Sequence, residues 1–383
     1  MALPEKTTSG HKSTTIMNTV RYVDLAAQYF EERADIEAVV ERVFGQGQFI
    51  GGEPVERLEA ELAAYCAADH AVALGSGTDA LILAMESLGI GPGDEVITPP
   101  NSFVASTAAI VRVGATPVFA DVLPDQNIDP MQVAKKITPR TKAIMPVHLT
   151  GRVARMKEIS ELADKHGLLV IEDAAQSFGS KLMDRPSGSF GDAGCFSAHP
   201  LKNLNAAGDA GFVVTNNEKL ANKLRRLRNH GLAGRDVVEN WGIVSRLDTF
   251  QAELLRMRLG RLPGTIERRR RNAAMYREMI TADQVFMPPC RAEEFNTFHT
   301  FVVQAERRDA LRDFLEGQGI QTAIHYPIPI HLQQAARDLG YAKGSLPVTE
   351  SQADRILSLP IHQNLSSSEI ERVAQAVNAF YKQ

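Results

Sequence analysis

The sequence predicts an α/β protein, with a mostly parallel seven-stranded sheet covered by helices and a smaller C-terminal α+β domain. Three observations carry that expectation. The chain has 383 residues, more than the roughly 100 to 200 of one domain, so a sizeable core and a second, smaller one are expected. From about Ala71 to Thr215, short apolar, β-branched runs alternate with helical patterns, as in a parallel sheet with crossover helices. Beyond Asp248 that alternation gives way to a long helical stretch.

Residues 1–19, rich in Ser, Thr and Lys and without an apolar segment, read as a flexible tail rather than a signal peptide. Residues 20–255 are assigned to the large domain and 256–383 to the small one. A helix over Arg57–Tyr65 leads into the first strand. The expected strands are Ala71–Leu74, Glu95–Thr98, Thr116–Asp121, Lys142–His148, Leu168–Glu172, Gly194–Ala198 and Gly211–Thr215. Helices are expected at Asp79–Leu88, Ser102–Val113 and Met156–His166, and at Glu218–Asn229 after the last strand. The stretch beyond Asp248 is expected to break at Pro263, and its run Arg268–Arg271 to be a solvated helix face. Short strands such as Thr297–Val303 and helices at Arg308–Gly317 and Ser368–Tyr381 complete the small domain.

Lys and Arg total 42 against 46 Asp and Glu, a net charge of −4. That near-balance argues against nucleic-acid binding or a polybasic membrane anchor, so any anion must be held by local geometry. No run of about 18 apolar residues occurs, so no transmembrane helix is expected. Cys66, Cys195 and Cys290 are odd in number and far apart, which argues against a disulfide framework or a metal site and fits a cytoplasmic setting.

Three motifs carry chemistry. Gly75-Ser76-Gly77-Thr78-Asp79 turns from strand to helix, and the free N–H groups of the helix start make either a phosphate cradle or an ordinary capped turn. Val170-Ile171-Glu172-Asp173 ends a strand in two acids, placing Asp173 where open α/β sheets bind ligands, or else as a helix cap that Gln176 completes. Lys202 follows another strand in largely apolar surroundings, which lower an amine's pKa and favour Schiff-base chemistry. Each has a plain structural reading alone. Together, a phosphate cradle, a carboxylate and a lysine at one sheet edge are the parts that bind pyridoxal phosphate.

The sequence resembles the DegT/DnrJ/EryC family of sugar aminotransferases, pyridoxal-phosphate enzymes of the aspartate-aminotransferase-like fold (fold type I), from about Tyr22 to Tyr381. The resemblance rests on Gly89–Ile97, Glu172-Asp173-Ala174-Ala175-Gln176, His199-Pro200-Leu201-Lys202-Asn203-Leu204, Ser245-Arg246-Leu247-Asp248 and His325-Tyr326-Pro327. It implies that Lys202 is the Schiff-base lysine and Asp173 the partner of the pyridine nitrogen. It also implies that Gln176 meets the phenolic oxygen and Phe103 stacks on the ring, although a lone aromatic could equally be core. Gly77, Thr78 and Ser197 are implied as phosphate ligands, and His325 and Tyr326 as residues facing the sugar. His148 and His199 are expected to be structural.

Relatives commonly carry Asn two places before the equivalent of Arg246, reaching the neighbouring subunit's phosphate. This chain has Val244, which leaves Ser245 or Arg246 to substitute. The implied reaction moves an amino group from L-glutamate to a nucleotide-linked keto sugar, at the C-3 ketone of a (deoxy)hexose in preference to C-4, in a homodimer whose active sites lie at the interface. The alternatives are a keto-sugar dehydratase, against which Lys202 argues because that enzyme carries His there, an amino-acid lyase, for which Cys290 is weak support, and a cofactor-bound regulator without turnover.

Overall fold

The structure, a computed structural model, describes residues 19–383; the expected tail lies outside the described residues except for Thr19. In chain order the α-helices are α1 (Leu25–Gln46), α2 (Glu53–Tyr65), α3 (Gly77–Ser87), α4 (Val104–Arg112), α5 (Pro130–Lys136), α6 (Met156–His166), α7 (Glu218–Leu227), α8 (Thr249–Met279), α9 (Arg308–Gly317), α10 (Pro347–Ala353) and α11 (Ser367–Tyr381). The strands of the large sheet are β1 (His70–Leu74), β2 (Glu95–Thr98), β3 (Thr116–Phe119), β4 (Thr141–Ile144), β5 (Leu169–Asp173), β8 (Ala193–Ser197) and β9 (Gly211–Thr215). Three short strands, β6 (Lys181–Leu182), β7 (Arg185–Pro186) and β11 (Glu294–Phe295), form a small sheet, and β10 (Val285–Phe286), β12 (Phe301–Ala305) and β13 (Ile356–Leu359) form another.

All seven expected strands pair in one sheet of order β1-β9-β8-β5-β4-β2-β3. From β3 to β8 every neighbour is parallel; β9 runs antiparallel to both β8 and β1. Two reversals restore the direction, so β1, β5 and β8 all end at the same edge. Alternation along the strands builds a core on each face. Val72, Leu74, Cys195 and Val213 pack with α3 and α7, whereas Ala71, Ala73, Phe196, Phe212 and Val214 pack with α2 and the first half of α8. There the Phe196 and Phe212 rings stack at 4.7 Å.

The largest departure from expectation is α8, which runs unbroken through Pro263. Pro263 lies on the exposed face, while Leu262 and Ile266 are buried beside it among the large-sheet residues. Packing on both sides of the proline outweighs the one hydrogen bond it removes. Further along, Ala273 and Tyr276 join the core of β12, β13, α9 and α11. The division expected after residue 255 falls inside this helix. The arginine run is not uniformly solvated either: Arg269 is 7% exposed, because Leu262, Ile266, Arg269, Ala273 and Tyr276 share the buried stripe.

Helix α1 escaped the sequence reading because its apolar residues do not form one stripe: Val39 and Val43 are buried, Phe30 and Phe44 exposed. Asp24 caps it by accepting from the Ala27 N–H at 2.9 Å. Among the described residues, no helix is long and apolar enough to cross a membrane.

Candidate functional site

The shared edge of β1, β5 and β8 gathers the expected residues. Helix α3 starts directly after β1, with Ser76 as N-cap accepting from the Asp79 N–H at 3.0 Å. Its first residue, Gly77, lies against Ser197 at the end of β8, where an added Cβ would stand 2.7 Å from the Ser197 Cβ. The absent side chain is what lets a helix N-terminus and a strand-end hydroxyl meet. Gly77→Ala should therefore push the two apart, costing about 1–3 kcal/mol of stability and weakening phosphate-dependent cofactor retention. Thermal unfolding and cofactor titration would read both effects, and an unchanged affinity would count against the cradle.

Ser245 reaches the same turn from a distant part of the chain. Its Oγ accepts from the Gly75 N–H at 3.0 Å and donates to the Asp79 carboxylate at 2.7 Å. Arg246, its neighbour, donates to Asn229 Oδ1 at 3.1 Å.

Asp173 ends β5 and is 4% exposed. Ser106 Oγ donates to one carboxylate oxygen at 2.6 Å and the Ala175 N–H to the other at 3.2 Å. Glu172, facing the opposite way, accepts from the backbone N–H groups of Gly188, Phe190 and Gly191 and pairs with His148 at 2.8 Å. His148 is thus a satisfied core group. His199 is exposed.

Lys202 lies in the turn after β8, where its N–H donates to the His199 carbonyl at 2.8 Å. Burial pushes its amine down from 10.5 to about 8, partly offset by the negative charge of Asp173. An amine so shifted has an appreciable neutral, nucleophilic fraction near physiological pH, though most of it is still protonated.

The accessory residues surround this pair. Phe103 is the N-cap of α4 rather than a helix residue, and it is 54% exposed, with its ring 5.7 Å from that of Tyr326. Exposure at the sheet edge removes the reading of Phe103 as core. Gln176 accepts from the Thr150 N–H at 2.9 Å, and burial pushes the neighbouring Tyr326 phenol up. His325 stacks on Tyr22 at 5.8 Å and meets Ser358 Oγ through Nδ1 at 2.8 Å. Burial, then the nearby Lys202, lowers its pKa.

Sequence reasoning missed Ser106, Tyr22, Arg269 and His299, all near Asp173 or Lys202. Arg269 had a legible signal, its place on the helical stripe Leu262, Ile266, Ala273 and Tyr276. The others arrive from distant segments with no local motif.

This strand order, with a lysine-bearing turn and a strand-end aspartate at one edge, is that of the aspartate-aminotransferase-like fold. A sequence model of the DegT/DnrJ/EryC1/StrS aminotransferase family matches residues 31–378, and the chain belongs to that family. It is 44% identical to the dTDP-3-amino-3,4,6-trideoxy-alpha-D-glucose transaminase of Streptomyces venezuelae, over 94% of this chain and 95% of that protein. It is also 44% identical to the UDP-N-acetyl-3-dehydro-alpha-D-glucosamine 3-aminotransferase of Acidithiobacillus ferrooxidans, over 93% and 96%. Among solved structures, S. venezuelae DesV in complex with a ketimine intermediate superposes with a TM-score of 0.93 at 44% identity, covering 95% of this chain and 99% of that one. NtdA of Bacillus subtilis, with bound cofactor PMP, gives 0.89 at 30% identity, covering 97% and 87%.

Proposed function

We propose that this aminotransferase uses pyridoxal 5′-phosphate to move the amino group of L-glutamate onto the C-3 ketone of a nucleotide-linked (deoxy)hexose. The observation that carries the reading is Lys202, a buried amine lowered to about 8 beside Asp173. The donor set fits the cofactor: a helix N-terminus without a side chain at Gly77, the Ser197 hydroxyl, a pinned carboxylate, the amide of Gln176 and an exposed aromatic at Phe103. Two relatives of equal identity differ in nucleotide and sugar, yet both are named for nitrogen at C-3, which favours C-3 over C-4 and leaves the nucleotide open.

In this reading Gly77, Thr78 and Ser197 hold the phosphate, and Ser245 braces their turn. When bound, the cofactor supplies an electrophilic carbonyl and a ring that accepts electron density from the substrate's α-carbon. Lys202 would hold the cofactor through that carbonyl, and its amine, when free, would be the group that moves a proton to and from the donor's α-carbon. Asp173, held by Ser106 and Ala175, keeps a proton on the ring nitrogen. Arg246 stays near the braced turn and joins the cofactor set only through it. His325 and Tyr326 face the sugar and help exclude water.

Two domains, 20–255 and 256–383, are proposed with their boundary inside α8, a helix that packs in the large-sheet core as far as Ile266 and in the second core from Ala273. A homodimer with sites at its interface is supported by large apolar side chains left exposed, including Phe44 at 63%, Ile50 at 53% and Trp241 at 94%. A cytoplasmic setting is supported by three unpaired cysteines.

Mixing the cofactor-loaded protein with L-glutamate tests the reaction class. The cofactor's absorbance is expected to change from its aldehyde form to its amine form, with one 2-oxoglutarate released per site. An unchanged spectrum would leave a dehydratase or a regulator in its place.

A further inference from the structure

A cavity of about 70 Å³ opens onto Lys202 between the segment from Tyr22 to Gln28, the lysine turn and residues near Thr300 and Gln363. It is far smaller than the roughly 300–1,000 Å³ of a pocket for a drug-sized ligand, so it takes a few atoms rather than a nucleotide. Its walls carry six buried polar atoms without a hydrogen-bond partner: Asn203 Oδ1, Arg269 Nε, His299 Nδ1, Thr300 Oγ1, His362 Nδ1 and Gln363 Oε1. Buried polar atoms are seldom left unpaired. Six of them on residues around one space mark a polar lining with unmet hydrogen-bonding capacity.

The charge identifies the ligand's chemistry. Arg269 is 7% exposed; its Nη1 donates to the Phe298 and His299 carbonyls, each at 3.2 Å. These carbonyls engage Nη1 without neutralising the charge, and among the described residues no carboxylate pairs with it. Asp24, the acid on the cavity wall, is engaged elsewhere, capping α1 and pairing with Arg21 at 3.4 Å. Burial holds His299, His325 and His362 below the usual histidine range, so these rings are acceptors or neutral donors rather than cations. The result is an uncompensated guanidinium within reach of the reactive amine, a costly arrangement unless an anion completes it.

We propose that this cavity is the subsite for a carboxylate of the amino donor, with Arg269 as its counter-ion and Thr300 as a supporting hydroxyl. The proposal rests on the aminotransferase reading, since only a donor that reacts at Lys202 needs its carboxylate there. Nothing larger than a carboxylate with its adjoining carbons is accommodated, so the sugar nucleotide lies outside it, past His325, which lines the cavity, towards Tyr326.

Calorimetric titration of the cofactor-loaded protein with glutarate, a dicarboxylate without an amino group, tests the subsite apart from turnover. Glutarate is expected to bind the wild type, and Arg269→Gln to weaken it about 10- to 100-fold, the range for a lost hydrogen bond to a charged group. The KM for glutamate should rise in parallel while the KM for the sugar is unchanged. Should Arg269→Gln fail to fold, the imidazole resonances of His299 and His362 in the wild type must shift on glutarate addition, and Thr300→Val must weaken binding. Equal glutarate affinity in Arg269→Gln, or unmoved resonances, would overturn the proposal and leave a water-filled chamber. Glutamate conversion with an unchanged KM in Arg269→Gln sinks the subsite alone; glutarate binding without any glutamate conversion sinks the aminotransferase reading instead.

Discussion

Lys202→Ala is expected to lower turnover by at least about 10⁴-fold, at the upper end of what a positioned acid–base group supplies, because the same side chain also forms the covalent link to the cofactor. The fold should survive, since Lys202 lies in a turn open to a cavity rather than in the apolar cores. Lys202→Arg should fail almost as completely. A guanidinium stays charged at any working pH, whereas the burial that lowers the lysine amine to about 8 makes it available as a neutral nucleophile. Borohydride reduction followed by mass spectrometry reads this directly. The wild type should carry the cofactor on the peptide containing Lys202, and neither variant should; an adduct persisting on that peptide in Lys202→Ala would place the link elsewhere.

Asp173→Asn is expected to have the second-largest effect, a fall of about 10²- to 10⁴-fold in turnover, with the shape of the site retained. An amide cannot hold a proton on the ring nitrogen as a carboxylate does. The substitution also carries a signed pH effect. The charge of Asp173 raises the Lys202 amine against the larger lowering by burial, so removing that charge should move the amine below about 8. Cofactor capture by the cofactor-free protein would then reach half its maximal rate at lower pH than in the wild type. A midpoint that stays put or moves up would show that the two groups are not coupled. Asp173→Ala should in addition strand the Ser106 hydroxyl and the Ala175 N–H, lowering stability by about 1–3 kcal/mol.

Much of the large sheet was legible because each strand is a short β-branched run between turns, a local pattern that needs no knowledge of its neighbours. Strand order was not, because pairing β9 between β1 and β8 is decided by contacts far apart in sequence. Pro263 was misread for a related reason. Its local penalty is real, but Leu262 and Ile266 on either side of it pack in one core and Ala273 and Tyr276 further along in another, and that anchoring holds the helix together. Arg269 shows the cost of reading charge before periodicity: four adjacent arginines suggest a solvated face, yet any run of four must place one residue near the buried stripe.

The chemistry-bearing residues were legible to the extent that they sit in local motifs. Asp173 and Lys202 each end or follow a strand in a recognisable pattern, and Gly77 begins a helix. Ser106, which holds Asp173, and Ser245, which braces the cradle at Gly75 and Asp79, come from segments 67 and 166 or more residues away from their partners. The sequence offers Ser245 for a phosphate contact, whereas the structure gives its hydroxyl to the turn at Gly75 and Asp79.

The most direct test of the account is a complete turnover with a defined acceptor. Cofactor-loaded protein is supplied with L-glutamate and either a dTDP-linked 3-keto-6-deoxyhexose or its 4-keto isomer, and the products are followed by mass spectrometry and NMR. The 3-keto sugar is expected to gain an amino group at C-3 while glutamate is converted to 2-oxoglutarate in equal amount. Amination of the 4-keto isomer alone, or loss of water from the sugar without transfer of nitrogen, would contradict it.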